Sequence, residues 1–330
     1  MLERCRREQW SVRDLDLSRA PRDMSEDDER AICQLFCDMS VIERLAGALF
    51  REQVRRARDP RLRAIFETFV IDEARHSIAA QMLSDHFDRR HLEAYRPTPA
   101  LTAFAPHFVR GITFLEDDVA NAYITAGELI LDIALLRSIA DYTDDPTVDR
   151  VMALVNRDEA RHVAIDYFMT EHYCSPEYQA VAERRSRGRS LSERAAATWT
   201  FANMLRYGQP FFRAVFFEPM SRIDPEGTRL REAFKRMQLL GAKPGATTRS
   251  FGLFIRRMQD AYRHPLAGRA VRGVIARVTG VGDYLGALAT QAELDEAARK
   301  SFDQLAEDAL AIKEAQTQRA RRPKAERAPS

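Results

Sequence analysis

The sequence predicts an all-α protein: a four-helix bundle with a long middle crossover, followed by additional C-terminal helices. Three observations carry that expectation. Apolar residues recur at helical spacing almost throughout, with no convincing run of alternating strand residues. Strong helix starts appear at Ser25, at Asp59-Pro60 and at Asp144-Asp145-Pro146. The pentapeptide Asp-Glu-Ala-Arg-His occurs twice, at 72–76 and 158–162, as though two helix pairs follow one plan.

Taken in order, residues 1–24 read as an N-terminal arm with little regular structure. Ser25 then offers a capping hydroxyl before Glu26, Asp27, Asp28 and Glu29, whose charges suit the positive end of a helix. That helix should reach about Arg58. Asp59 and Pro60 open a second, to about Arg89. Pro97, Pro99 and Pro106 mark a loop, and a third helix runs from His107 to Tyr142, with a break near Thr113. The fourth begins at Pro146 and ends near Cys174, before Ser175-Pro176. Residues 25–175 therefore form the bundle, with connections that are short, long and short. Residues 176–318 form a helical extension packed on it, interrupted near Pro225, Pro244 and Pro265. The tail 319–330 is basic and rich in Pro and Ala, and should be disordered.

Bulk properties narrow the function classes. With 330 residues, 45% of them hydrophobic, a sizeable core is affordable. A net charge of +2 gives no reason to expect nucleic acid as a partner. The first residues are charged and lack the apolar stretch of a secretory leader, and no charge-free apolar run is long enough for a membrane span. A cytoplasmic location is expected. Cys5, Cys33, Cys37 and Cys174 fit reduced thiols, because Cys33 and Cys37 have no second pair to build a zinc site. The most apolar segment, Ile124 to Leu136, carries Glu128 and Asp132 in its middle.

Glu-x-x-His on a helix puts both side chains on one face, so Glu73 with His76, and Glu159 with His162, can each grip an ion from one side. A carboxylate-bridged metal pair needs one more Glu from each remaining bundle helix. Glu43 sits among Val41, Ile42, Leu45 and Leu49, and Glu128 among Ile124, Leu129, Ile130 and Leu131. A lone carboxylate in such company is costly to bury, which calls for a cation. Glu43 precedes Glu73 by 30 residues and Glu128 precedes Glu159 by 31, so both pairs can present their acids at matching depth. Four ionised glutamates would balance two divalent ions, and six ligands leave room for oxygen.

On these residues the sequence resembles the ferritin-like di-iron carboxylate superfamily. That group includes soluble acyl-carrier desaturases, ribonucleotide reductase small subunits, rubrerythrins and arylamine N-oxygenases. The pentapeptide is most similar to the Asp/Glu-Glu-x-Arg-His motifs of the desaturases. The resemblance spans residues 25–174. It implies two Fe ions, with a Mn/Fe pair also open. Glu43, Glu73 and His76 would lie on one, and Glu128, Glu159 and His162 on the other, Glu73 and Glu159 bridging. It further implies that Asp72 orients His162 and that Asp158 orients His76. Asp132 and Asp166, each four residues after a proposed ligand, are candidates for the same outer layer.

Departures from the family also inform. Ala80 stands where reductase subunits place a radical tyrosine, which counts against that activity. Val155 stands where arylamine N-oxygenases add a third histidine, which counts against that reaction. Asp132 stands where many bacterial hydroxylases have Thr. The expected activity is an O2-dependent di-iron oxygenase or oxidase acting on a small organic or carrier-bound substrate by hydroxylation, desaturation or N-oxygenation. An electron donor such as a ferredoxin is implied, and a homodimer is open. Alternatives are a ferroxidase or peroxidase without organic substrate, and a metal-stabilised ligand-binding protein. Ala46, Gly47, Ala79 and Ala80 suggest room beside the metals, with Phe50, Phe66 and Phe69 as its wall. Tyr123 and Tyr167 are candidates for electron or proton relay, whereas Trp10 and Trp199 read as packing residues. The basic run Arg184, Arg185, Arg187 and Arg189 reads as a solvated face, with docking of an acidic ferredoxin or carrier as the alternative.

Overall fold

The computed structural model describes residues 1–246, 273 and 288–320, and among them there are helices and turns but no strand. The order begins with α1 (Leu2–Arg7), a 3-10 turn (Val12–Asp14), α2 (Glu26–Arg56), α3 (Pro60–Phe87) and α4 (Pro99–Phe114). Next, α5 (Asp117–Leu129) continues through a π-wound turn (Ile130–Leu135) into α6 (Leu136–Thr143). There follow α7 (Pro146–Cys174), α8 (Pro176–Gly188) and α9 (Leu191–Phe212), the last continuing through a second π turn (Arg213–Phe217) into α10 (Glu218–Ile223). The series closes with α11 (Thr228–Gly241), α12 (Gln291–Arg299) and α13 (Phe302–Ala320). The fold is all-α, a ferritin-like helical bundle with extra C-terminal helices.

The helix starts follow from their caps. Ser25 Oγ accepts from the Asp28 N–H at 3.1 Å. Asp59 Oδ1 accepts from Arg61 and Leu62 at 2.7 and 3.2 Å. Asp145 Oδ1 accepts from Thr147 and Val148 at 2.8 and 3.3 Å. In the last two cases proline occupies the first helical position, where its missing N–H costs nothing.

Two expectations are corrected. Pro106 lies inside helix α4 rather than in a loop, and the third bundle helix starts at Asp117, not His107. Pro99 opens α4, and its end is set by Arg56, which donates to the Ile112 and Leu115 carbonyls at 2.8 Å each. Those are orphan acceptors of a helix terminus, so a guanidinium from α2 is what stops α4 before Glu116. The N-terminal arm is also better ordered than expected: α1 buries Cys5, and the 3-10 turn is capped by Ser11. The interruption at Pro265 and the tail from Arg321 lie outside the described residues, whereas Arg319 still belongs to α13.

The chain divides into two compact units, each gathered from separate stretches. The first comprises Met1–Glu116, Thr143–Arg161 and Arg185–Arg222. In it α2 and α3 pack along one another as a hairpin closed by residues 57–59, burying Phe36, Met39, Phe50, Phe66, Phe69 and Phe87. Helix α4 lies on α9, with Phe104 stacked on Phe211 at 4.3 Å between ring centroids. The second unit comprises Asp117–Tyr142, His162–Arg184 and Ile223–Ser330. Here α11 packs on the first π turn, on α5 and on α12, and Arg229 reaches Ser138 Oγ at 3.1 Å and pairs with Asp141. Helix α7 passes from one unit to the other between Arg161 and His162.

Residues 117–143 are long and apolar enough, by length and composition alone, to cross a membrane. However, 72% of that apolar window is buried within the fold, as in the core helix of a bundle.

Candidate metal centre

In the first unit, three helices converge on one buried point. Glu43 comes from α2, Glu73 and His76 from α3, and Glu159 from α7; one potential ligand atom of each lies within 4.8 Å of the others. None is more than 1% exposed. Gly47 explains how α2 comes so close: a Cβ there would lie 3.2 Å from the Glu73 Cβ. The space expected around Gly47 is thus taken up by Glu73, and Phe69 packs edge-on against both Phe50, 5.3 Å away, and Phe66, while those two rings stack on one another.

The electrostatics of this point are those of a cation site. Neither oxygen of Glu43 accepts a hydrogen bond from the described residues. Burial, then the neighbouring Glu73 charge, pushes the Glu43 carboxyl well above its ordinary range. His76 is turned by two partners: its Nε2 lies 3.2 Å from Asp158 Oδ2, and its Nδ1 lies 3.0 Å from Glu159 Oε1. Burial disfavours the imidazolium, but hydrogen bonds to Asp158 and Glu159 outweigh it and raise the His76 pKa. In the metal-free chain a proton on Nδ1 therefore supplies positive charge beside Glu159 and Glu73, while burial favours the neutral form of Glu43. Asp158, although buried, is held down at about 2 by His76 and Arg161. A divalent ion suits this donor set of hard oxygens and one imidazole.

In the second unit, Glu128 of α5 and His162 of α7 are both buried, with His162 Nδ1 3.6 Å from Glu128 Oε1. Asp166 is fully buried one turn after His162, and Asn121 donates to its backbone carbonyl at 3.1 Å. Asp132 is buried too, but within the π turn that begins two residues after Glu128. Such winding is rare and concentrates at functional sites. It also means that the i, i+4 register expected between Glu128 and Asp132 is not that of a regular helix. Tyr167 is buried, and Tyr123 is pushed up to about 12 by burial.

The motif arginines pair with aspartates, not with the adjacent glutamates. Arg161 Nη2 lies 2.8 Å from Asp158 and 3.1 Å from Asp72, and Arg75 pairs with Asp72 and approaches Asp158 at 3.6 Å. Both carboxylates are wholly buried, so this quartet neutralises itself and leaves Glu73 and Glu159 for other work. The N-terminal arm joins in. Glu8 reaches Arg161 at 3.0 Å, Gln9 Nε2 donates to Asp72 at 3.3 Å, and Trp10 Nε1 donates to Asp158 at 2.7 Å. Glu8 and Gln9 escaped sequence reading because no spacing rule links an arm to helices more than 60 residues away, and Trp10, expected only to pack, also donates a hydrogen bond. Trp199, expected to pack, is 67% exposed on α9.

The model of one protein family, p-aminobenzoate N-oxygenase AurF, matches residues 41–232. The chain belongs to this family. The match covers more than half of the sequence, contains Glu43, Glu73, His76, Glu128, Glu159 and His162, and continues through α8–α10 into α11. Neither a search of curated proteins nor one of solved structures returned a match. The family is one of di-iron, O2-dependent oxygenases, so the protein is an enzyme of that kind. The chain belongs to this family with Val155 at the position where the third histidine was expected.

Proposed function

We propose that Glu43, Glu73, His76, Glu128, Glu159 and His162 hold two iron ions, and that the enzyme uses them with O2 to oxidise the nitrogen of a small aromatic amine. The substrate class rests on the family, whose named reaction is N-oxygenation of p-aminobenzoate. The metal reading rests above all on Glu43, a fully buried carboxylate whose oxygens accept no hydrogen bond from the described residues. Bound iron would supply O2 activation, and electrons would come from an external one-electron donor such as a ferredoxin.

The protein's own contribution is to hold and to exclude. Asp158 fixes the His76 ring so that Nδ1 faces the carboxylates, and Asp166 and Asp132 are proposed to steady the second half of the centre. Buried glutamates match the rising charge of oxidised metal, and the aromatic cluster of Phe50, Phe66 and Phe69 keeps water from that side. With Val155 apolar, the proposed ligand set is six rather than seven side chains.

Anaerobic Fe(II) loading, metal counting and stopped-flow exposure to O2 test this reading. Two irons per chain, with a transient visible absorption lost in Glu73→Ala or His162→Ala, support it, and product analysis with aromatic amines then identifies the oxidised nitrogen. One metal or none, or two irons indifferent to O2, sinks it. Manganese in place of one or both irons would redirect the metal assignment alone.

A further inference from the structure

The residues before position 41 lie outside the family match, yet they supply side chains to the buried groups beside the cluster. Trp10 Nε1 donates to Asp158 Oδ2 at 2.7 Å, and the same oxygen faces His76 Nε2 at 3.2 Å. The indole ring lies nearly parallel to the imidazole of His76, with 6.4 Å between centroids and 20° between planes. On the ring also rests the Arg75 guanidinium, 5.3 Å from its centroid. Arg75 in turn donates to Gln9 Oε1 at 2.7 Å and to the Trp10 carbonyl at 2.9 Å. Gln9 ties the segment to α1 by donating to the Cys5 carbonyl at 2.7 Å, and Cys5 is fully buried. Arg157 completes the tether by donating to the Glu8 carbonyl at 2.6 Å.

We infer that residues 5–10 are a strap that completes the metal centre, and that Trp10 is a positioning residue for His76, acting through Asp158. This rests on the di-iron reading of His76. A carboxylate beside a ligating histidine fixes the ring and raises its donor strength. Asp158 has two calls on it, from His76 and from the two motif arginines. With the indole N–H on Oδ2, that oxygen is held toward Nε2; without it, Oδ2 can turn from Nε2 toward Arg75, already 3.6 Å away, while Oδ1 stays on Arg161 at 2.8 Å. The result would be an imidazole with a looser orientation and a weaker grip on metal. The family match cannot reveal this, because the strap precedes it.

Anaerobic Fe(II) titration of wild type, Trp10→Phe, Asp158→Asn and the double variant tests the inference. Phe keeps an aromatic face but removes the N–H together with one of the two fused rings, so the double variant is needed to separate the hydrogen bond from packing. Trp10→Phe should bind iron about 10-fold more weakly, Asp158→Asn about 10–100-fold more weakly, and the double variant no more weakly than Asp158→Asn. Wild-type affinity in Trp10→Phe, or losses that multiply in the double variant as packing defects would, overturns the inference. A wild-type protein that takes up no iron overturns the di-iron reading and this inference with it. Should Trp10→Phe not fold, fluorotryptophan-labelled wild type gives one 19F resonance each for Trp10 and Trp199, the two tryptophans of the chain. The Trp10 resonance should move on Zn(II) loading in wild type and not in Asp158→Asn; a resonance that stays put overturns the strap's role.

Discussion

Glu43 and Arg161 are the two most informative side chains, because one lacks hydrogen-bond donors and the other has a surplus of acceptors. Glu43 is buried against the Glu73 carboxyl with no N–H or hydroxyl of the described residues donating to it, and a glutamine there can still donate its amide to Glu73 in the metal-free fold. The metal-free variant should melt no lower than wild type, yet lose the rise in Tm that Fe(II) or Mn(II) gives the wild type. Differential scanning calorimetry with and without metal checks both halves, and a variant still stabilised by metal would remove Glu43 from the ligand set. Arg161 behaves oppositely. It is fully buried and contacts Glu8, Asp72 and Asp158. Arg161→Met leaves two buried carboxylates short of a partner and should cost about 3–5 kcal/mol in denaturant unfolding. At this scale the sequence singled out Glu43, Glu73 and Glu159, which the fold gathers at one buried point, since a repeated motif and apolar neighbours are local signals. It did not tell that the motif arginines choose the aspartates: Arg75 is nearer in sequence to Glu73, but three residues, one helical turn, separate it from Asp72.

Element by element, boundaries set by a side chain at the boundary were legible and those set from afar were not. Ser25, Asp59 and Asp145 carry their own caps, and α2, α3 and α7 begin where the sequence says. The end of α4 meets Arg56, and the first π turn packs against α11, and neither contact leaves a local trace in the sequence. Ser25→Ala tests the local kind: it removes the acceptor for the Asp28 N–H and should cost about 1 kcal/mol, seen as a lower midpoint in urea with an unchanged slope. Gly47→Ala tests the contact between elements. The new methyl would stand 3.2 Å from Glu73 Cβ, an atom fixed to the α3 backbone, so α2 and α3 must part by a few tenths of an ångström. The helix propensity gained from alanine, up to about 1 kcal/mol, offsets part of the strain. Folding should therefore survive while iron affinity falls, and metal titration beside circular dichroism separates the two effects.

For the whole molecule, the residues proposed to hold metal should make the metal-free chain less stable. Buried acids gathered at one point are tolerated only when something positive joins them, and His76 can supply one charge at most. A ligand that binds the folded chain alone adds RT ln(1 + [L]/Kd), about 2.7 kcal/mol at 100 times Kd. Metal should accordingly raise the Tm of the wild-type protein in a concentration-dependent way, and a chelator should return it to the metal-free value. The chain divides into two compact units, so the trace need not be a single two-state transition. The diagnostic is which part of it moves. Glu43, Glu73, His76 and Glu159 all belong to the first unit, so the transition that Glu43→Gln makes insensitive to metal reports that unit's unfolding. A melting curve unmoved by metal at any concentration would mean that the acid cluster is stabilised by protons alone, and the proposed di-iron centre would fall with it.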